Sequence, residues 1–194
     1  LDVRDHREHA VLHLLAEAVH HRQHDDQRRH PQADAEHRHT GDEGDETVAA
    51  PGAAGAGADN DRDKGFKRAL AEAPGVTVLQ EVFTGWQQDQ GKQQINDIIA
   101  AGVPFQGIWT SGIDNVIVDA LVEAGAPMVP VVGADNAGFV GQLSSVEGLK
   151  GAAVTNPGSV GGAGVALAIQ ILDGKMPAEK TVLVNPALWE NVTD

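Results

Sequence analysis

The residues of this sequence whose types and placement bear on chemistry are one tryptophan, two aspartates and a set of short hydroxyl and amide side chains. Each group stands directly after a short apolar run. Thr84-Gly85-Trp86-Gln87-Gln88-Asp89 follows the run ending at Val82, and Thr110-Ser111-Gly112-Ile113-Asp114 follows Gly107-Ile108-Trp109. Gly133-Ala134-Asp135-Asn136 follows Val129-Pro130-Val131-Val132, and Thr155-Asn156-Pro157 follows Gly151-Ala152-Ala153-Val154. An indole such as Trp86 presents a flat apolar face that covers the C–H surface of a sugar ring. A carboxylate such as Asp135 accepts two hydroxyls in charge-assisted hydrogen bonds, which are stronger than neutral ones. This is the chemistry of holding a small polar ligand. Each group also has a purely structural alternative: Trp86 as a cap on the core, and Ser111, Asp114 or Asp135 as the N-cap of the helix that follows. Trp109 lies within an apolar run and reads as core.

Other chemistries fit less well. Gly52-Ala53-Ala54-Gly55-Ala56-Gly57, followed by Asn60 and Arg62, is a glycine-rich loop of the kind that cradles dinucleotides. Its spacing is not G-x-G-x-x-G, and no acidic residue ends the second strand as that use requires, so it reads as a tight turn beside a small polar ligand. There is no nucleophile-elbow motif, and no histidine follows Thr40 to act as a base, so a non-enzymatic role is expected. His9 and His13 are four residues apart, and His20, His21 and His24 would share a helix face. No carboxylate or cysteine framework accompanies them, so adventitious rather than dedicated metal binding is expected, and no cofactor.

The elements that must position these groups are legible from Thr47 onward. Strands are expected at 47–50, 76–82, 107–110, 129–133, 151–155 and 181–184. Helices are expected at about 60–72, 88–101, 114–123, around 139–145, and 160–172, with Gly or Pro at most boundaries. Strands alternating with helices of this length imply crossover units and hence an α/β, Rossmann-like, open, mostly parallel sheet with helices on both faces. Such sheets bind ligands outside the carboxyl ends of their strands, which is where the polar groups stand.

Composition divides the 194 residues unevenly. All nine histidines precede residue 40, and all six lysines lie at or after Lys64. Residues 1–63 carry seven Arg against fifteen acidic residues, and the remainder is also net acidic, for a formal charge of −14. That balance argues against nucleic-acid binding, which needs a basic face, and against an anionic membrane surface. Cysteine is absent, and no apolar run approaches the length of a membrane span, so no membrane insertion is expected. No secretion signal is visible in the chain as given, which begins at Leu1. Residues 1–46 show no durable period beyond a helix candidate at 10–19. Two readings stay open for them: a His/Arg/Asp-rich disordered tail, or translation of GC-rich DNA out of frame.

Taken in order, these segments resemble the second lobe of ribose-binding-protein-like sugar receptors, the class I periplasmic binding proteins that serve ABC importers. The resemblance rests on Gly52-x-x-Gly55 with Arg62-Asp63-Lys64-Gly65-Phe66, and on Gly107-Ile108-Trp109-Thr110-Ser111. It continues through Ala120 to Gly125, Val131-Val132-Gly133-Ala134-Asp135 and Asn156-Pro157 with Gly161. It divides the chain into an unmatched segment, 1–48, and a lobe, 49–194. It implies a two-lobed, extracytoplasmic or periplasmic receptor that closes on a monosaccharide by hinge motion and delivers it to ABC transporter permease subunits. Ligand contacts are then expected at Asn60, Trp86, Ser111, Asp114, Asp135, Thr155 and Asn156. Asn60 stands where ribose receptors carry an arginine, and Thr110-Ser111-Gly112 where many carry Asn-Asp. Residues 1–48 resemble no part of the first lobe, so a truncated receptor with little sugar affinity is expected, and the helix at 160–172 should lack the surface that it covers in the family. The alternatives are the effector domain of a sugar-responsive transcription regulator, or a frameshifted product without function.

Overall fold

The computed structural model describes residues 45–179, 181–182 and 184–191. Eleven elements follow one another: β1 (Asp45–Ala50), α1 (Gly57–Glu72), β2 (Val76–Glu81), α2 (Gln88–Ala100), β3 (Gly107–Thr110), α3 (Asp114–Glu123), β4 (Val131–Ala134), α4 (Ala137–Ser145), β5 (Gly151–Val154), α5 (Ser159–Leu172) and β6 (Leu188–Glu190). They form one six-stranded sheet in the order β2-β1-β3-β4-β5-β6, in which β1 to β5 run parallel and β6 is antiparallel to β5. The expected α/β sheet with helices on both faces is what the chain builds.

The alternation of side chains along each strand decides what each helix covers. Val48, Ala50, Ile108, Val131 and Ala153 point to one face. There they meet Ile95 and Ile98 of α2, Ile117 and Leu121 of α3, and Phe139 and Leu143 of α4, all buried. The residues between them, Ala49, Trp109, Val132 and Ala152, point to the other face and meet Phe66 and Ala69 of α1. Phe66 and Trp109 stack with ring centroids 4.5 Å apart and planes 4° from parallel. Trp109 is therefore core, as its position in an apolar run suggested.

α5 does not share in this packing. None of its residues is buried, and its apolar members Val165, Ile169 and Leu172 are 63%, 54% and 85% exposed. This is the helix whose apolar face the resemblance singles out, and it is exposed.

Several strand boundaries differ from the sequence reading, most by a residue or two, and two of the differences have a clear physical cause. β4 begins at Val131 rather than Val129, because Pro130 has no N–H to give to a ladder, while its carbonyl accepts from Ile108 N. The last strand is not 181–184. Thr181, Val182 and Val184 lie outside any strand, Leu183 is outside the described residues, and Leu188–Glu190 pairs with β5 instead. Asn191 fixes that register. Its Oδ1 accepts from Gly151 N at 2.8 Å, and its Nδ2 donates to the carbonyls of Leu143 and Leu149 at 2.6 and 2.7 Å. Three local anchors outweigh the strand propensity of Thr-Val-Leu-Val. Asn191→Ala leaves three backbone groups without these partners, and is expected to lower the free energy of unfolding by about 2–3 kcal/mol, read by urea titration. The helix candidate at 10–19 and the histidines lie outside the described residues.

Candidate functional site

From β1 the chain moves outward to β2, then crosses back to place β3 on the other side of β1. Helices α1 and α2 leave on opposite faces, so a crevice opens beyond the carboxyl ends of β1 and β3. The loops after β1 and β2 are fastened together there. Thr84 N and Oγ1 donate to Pro51 O at 2.9 and 3.0 Å, and Gly85 N donates to Gly52 O at 2.8 Å.

This fastening holds Trp86 in a left-handed conformation, φ +56°, the one non-glycine residue with positive φ among those described. Such a backbone costs on the order of 1–3 kcal/mol and persists only where its surroundings enforce it. Here Trp86 Nε1 donates to Ser111 O at 2.5 Å, and Trp86 N donates to Thr84 Oγ1 at 3.3 Å. The indole passes so close to Gly52 that a Cβ at that position would lie 2.0 Å from its Nε1. The glycine at the head of the Gly-rich loop thus makes room for an aromatic ring, a sufficient reason for it that needs no phosphate. Trp86 remains 37% exposed.

Beside the indole, a cavity of about 170 Å³ runs along the tips of β3, β4 and β5, walled by Thr110, Ser111, Ala134, Thr155, Asn156 and others, and reached by Arg62 from α1. That is below the ~300–1,000 Å³ of pockets for drug-sized ligands, a scale suited to one small ring. Arg62 Nη1 donates to both the carbonyl and Oγ of Ser111, each at 3.3 Å. Two more lining residues carry buried polar atoms with no hydrogen-bond partner among the described residues: Trp109 Nε1 and Thr110 Oγ1.

The expected ligand residues fall into three groups. Ser111, Thr155 and Asn156 line the cavity, and Trp86 joins them through Ser111. Asp135 sits one step behind: its Oδ1 accepts from Asn156 N at 2.8 Å, tying the tips of β4 and β5. Thr155 is tied in turn to the strand beyond, its Oγ1 accepting from Ala187 N at 2.6 Å. Asn60 and Asp114 stand apart. Asn60 is exposed on α1 and is not in the cavity wall. Asp114 is fully buried, its Oδ1 accepting from Ala134 N at 3.1 Å and its Oδ2 from Asn136 Nδ2 at 2.7 Å. It braces the β3–α3 turn against the β4–α4 loop from beneath the cavity. The capping alternatives are resolved as well. No side chain caps α3, and α4 is capped by Asn136, whose Oδ1 accepts from Phe139 N, and not by Asp135.

Burial pushes the Asp114 carboxyl up to about 6, although the hydrogen bonds from Ala134 and Asn136 act to lower it. A folded-state value above the unfolded one means that folding takes up a proton. The contribution of Asp114 to stability is therefore complete below about pH 4 and is lost as pH rises to about 6. A shift of this size corresponds to about 3 kcal/mol. Chemical unfolding of the protein and of Asp114→Asn at pH 4 and at pH 7 should show the native chain losing about 2–3 kcal/mol more than the variant between those two values.

Two contributors escaped the sequence reading. Asp59 is 2% exposed and accepts from Gly52 N at 2.7 Å, fixing the Gly-rich loop. Arg62 reaches the cavity where Asn60 does not. The signal was present: Arg62 is four residues before the core residue Phe66 and so shares its helix face, whereas Asn60 lies on the opposite side. Among the described residues no group of acidic or histidine side chains is arranged to hold a metal, and no helix is long and apolar enough to cross a membrane.

Comparison with known proteins agrees with this geometry. A xylitol-binding protein of Mycolicibacterium smegmatis is 28% identical over 152 residues, covering 76% of this chain and 43% of its own length. The fold is shared with a carbohydrate transporter solute-binding protein of Agrobacterium radiobacter in complex with D-arabinose, with TM-score 0.69 and 20% identity over 96% of this chain and 59% of that one. It is shared also with the periplasmic component of an arabinose ABC transporter from Shewanella sp. ANA-3, bound to L-arabinofuranose, with TM-score 0.68 and 20% identity over 75% and 50% of the two chains. This chain thus spans about half the length of the relatives it matches. The model of the periplasmic binding protein domain matches residues 32–176, a stretch that holds the sheet from β1 to β5 and all the cavity-lining residues before Val184, and on that ground the chain belongs to the periplasmic binding protein family.

Proposed function

We propose that this domain forms one wall of a receptor that captures a monosaccharide-like solute outside the cytoplasm and delivers it, chemically unchanged, to the permease subunits of an ABC importer. One observation carries the reading: a tryptophan held in a strained conformation at the carboxyl edge of a parallel sheet, adjoining a small cavity of hydroxyl, amide and guanidinium groups. An indole for the apolar face of a ring and several hydrogen-bonding groups for its hydroxyls are what a polyhydroxylated solute requires. The xylitol- and arabinose-related functions of the similar proteins support the solute class, and the Shewanella transporter component supports the importer. Asp135 and Asp114 are assigned supporting rather than direct roles and Asn60 none, while Trp86, Ser111, Thr155 and Asn156 make the contacts.

A single wall encloses a ligand incompletely, so binding to this chain should be weak, in the millimolar range. Titrating the isotopically labelled protein with xylitol, D-arabinose and L-arabinose should give saturable amide shifts at Ser111, Thr155 and Asn156. Absence of any saturable shift in that loop cluster, with all three probes up to about 100 mM, speaks against the reading.

A further inference from the structure

The cavity holds a guanidinium whose recorded contacts are all to neutral oxygens. Arg62 is the one charged side chain among its lining residues, and among the described residues no carboxylate pairs with it. Its recorded bonds are two 3.3 Å contacts to the neutral oxygens of Ser111, long for a guanidinium that presents five donors in a rigid fork. The indole Nε1 of Trp109 can only donate, and it is buried without a partner. Several nearby acceptors are engaged: Thr155 Oγ1 accepts from Ala187 N, Asp135 Oδ1 from Asn156 N, and Ser111 O from both Trp86 and Arg62. A half-buried guanidinium with no counter-ion among the described residues is completed best by a planar anion that accepts two parallel hydrogen bonds.

Resting on the receptor reading above, we propose that Arg62 is the specificity-determining residue of this wall and that it selects a solute bearing a carboxylate, a sugar acid in place of a neutral sugar. The net charge of −14 opposes any anion at long range, but at physiological ionic strength that field is screened within about 8 Å, and contact with Arg62 decides the preference.

D-galacturonate and D-galactose differ only in a carboxylate against a hydroxymethyl group, so the pair isolates the charge. Amide-shift titrations of the full chain with each are expected to give at least tenfold tighter binding of galacturonate, with the largest shifts at Ser111 and Thr110. Arg62→Gln should bring the two sugars to equal affinity. Arg62→Lys, which keeps the charge but not the fork, should retain part of the preference, and it serves as the readout if the Gln variant does not fold. Equal or tighter binding of galactose by the unaltered protein overturns the proposal while leaving the sugar-receptor reading intact. If neither sugar moves the cavity resonances, both readings fall.

Discussion

Trp86→Ala is expected to weaken solute binding by roughly ten- to seventyfold, to the tens of millimolar for a wall that binds in the millimolar range. The side chain is 37% exposed, so its outer surface is available, while Gly52, Gly112 and the bond to Ser111 O fix its other side. A ring that is already immobilised loses little entropy when a ligand covers it, and stacking over part of its area contributes about 1.5–2.5 kcal/mol, the origin of the fold-change quoted. Two further variants separate packing from hydrogen bonding. Trp86→Phe keeps a flat apolar face but cannot donate to Ser111 O, so it should retain part of the affinity. Trp86→Gly should lose binding as the alanine variant does, yet partly offset the lost contacts in stability, because glycine adopts φ +56° without strain. Amide-shift titration with xylitol and the arabinoses, beside urea unfolding, gives both quantities. Unchanged affinity in Trp86→Ala would remove the indole from the site.

Gly133→Ala should have a large effect on stability, on the order of 3 kcal/mol or more. Its Cβ would lie 1.8 Å from Asp114 Oδ1, 2.5 Å from Asp114 Cγ and 2.9 Å from Thr110 Cγ2, so the carboxyl group has to leave its place. In leaving it gives up Ala134 N and Asn136 Nδ2 in a site closed to solvent, and a buried ionisable group without partners is among the few causes of so large a loss. Against the 5–15 kcal/mol that holds a typical domain folded, this is a large fraction. A double-mutant cycle tests the cause. Asp114→Ala removes the atoms that the new methyl meets, so the double variant should be more stable than the sum of the two single changes predicts, by about 1–2 kcal/mol. Strict additivity would show that the cost of Gly133→Ala arises elsewhere, for example at Thr110.

Asp114 and Gly133 also show why the wall is stiff where it must be. The brace from Asp114 to Ala134 and Asn136 joins two loops that separately carry Ser111 and Asp135, and Asp135 extends the chain of contacts to Asn156. Asp114 and Asp135, which stand after strands as ligand contacts would, hold the neighbouring loops in register. Preorganisation of this kind reduces what a weakly enclosed ligand has to order on binding.

The sequence by itself determined the architecture. Short apolar runs alternating with helical periods, bounded by glycine and proline, are a local signal, and β1 to β5 with their helices formed where that signal stood. It determined as well that polar tips would gather at one edge, because every strand of a parallel sheet ends on the same side. What it left undecided is what side chains do once elements meet. Whether Asp135 or Asn136 caps α4, and whether Asp114 faces a ligand or the interior, depends on distances across the β3–β4 interval, which no spacing in the chain encodes. Asn60 follows from the resemblance, whereas the helical phase set by Phe66 turns Arg62 toward the cavity. The last strand went to Leu188–Glu190 because Asn191 finds three backbone partners forty or more residues away in sequence. Periodicity fixes which elements form. The tertiary fold alone fixes which polar atoms find partners within the protein and which, like Trp109 Nε1 and Thr110 Oγ1, are left for something else to satisfy.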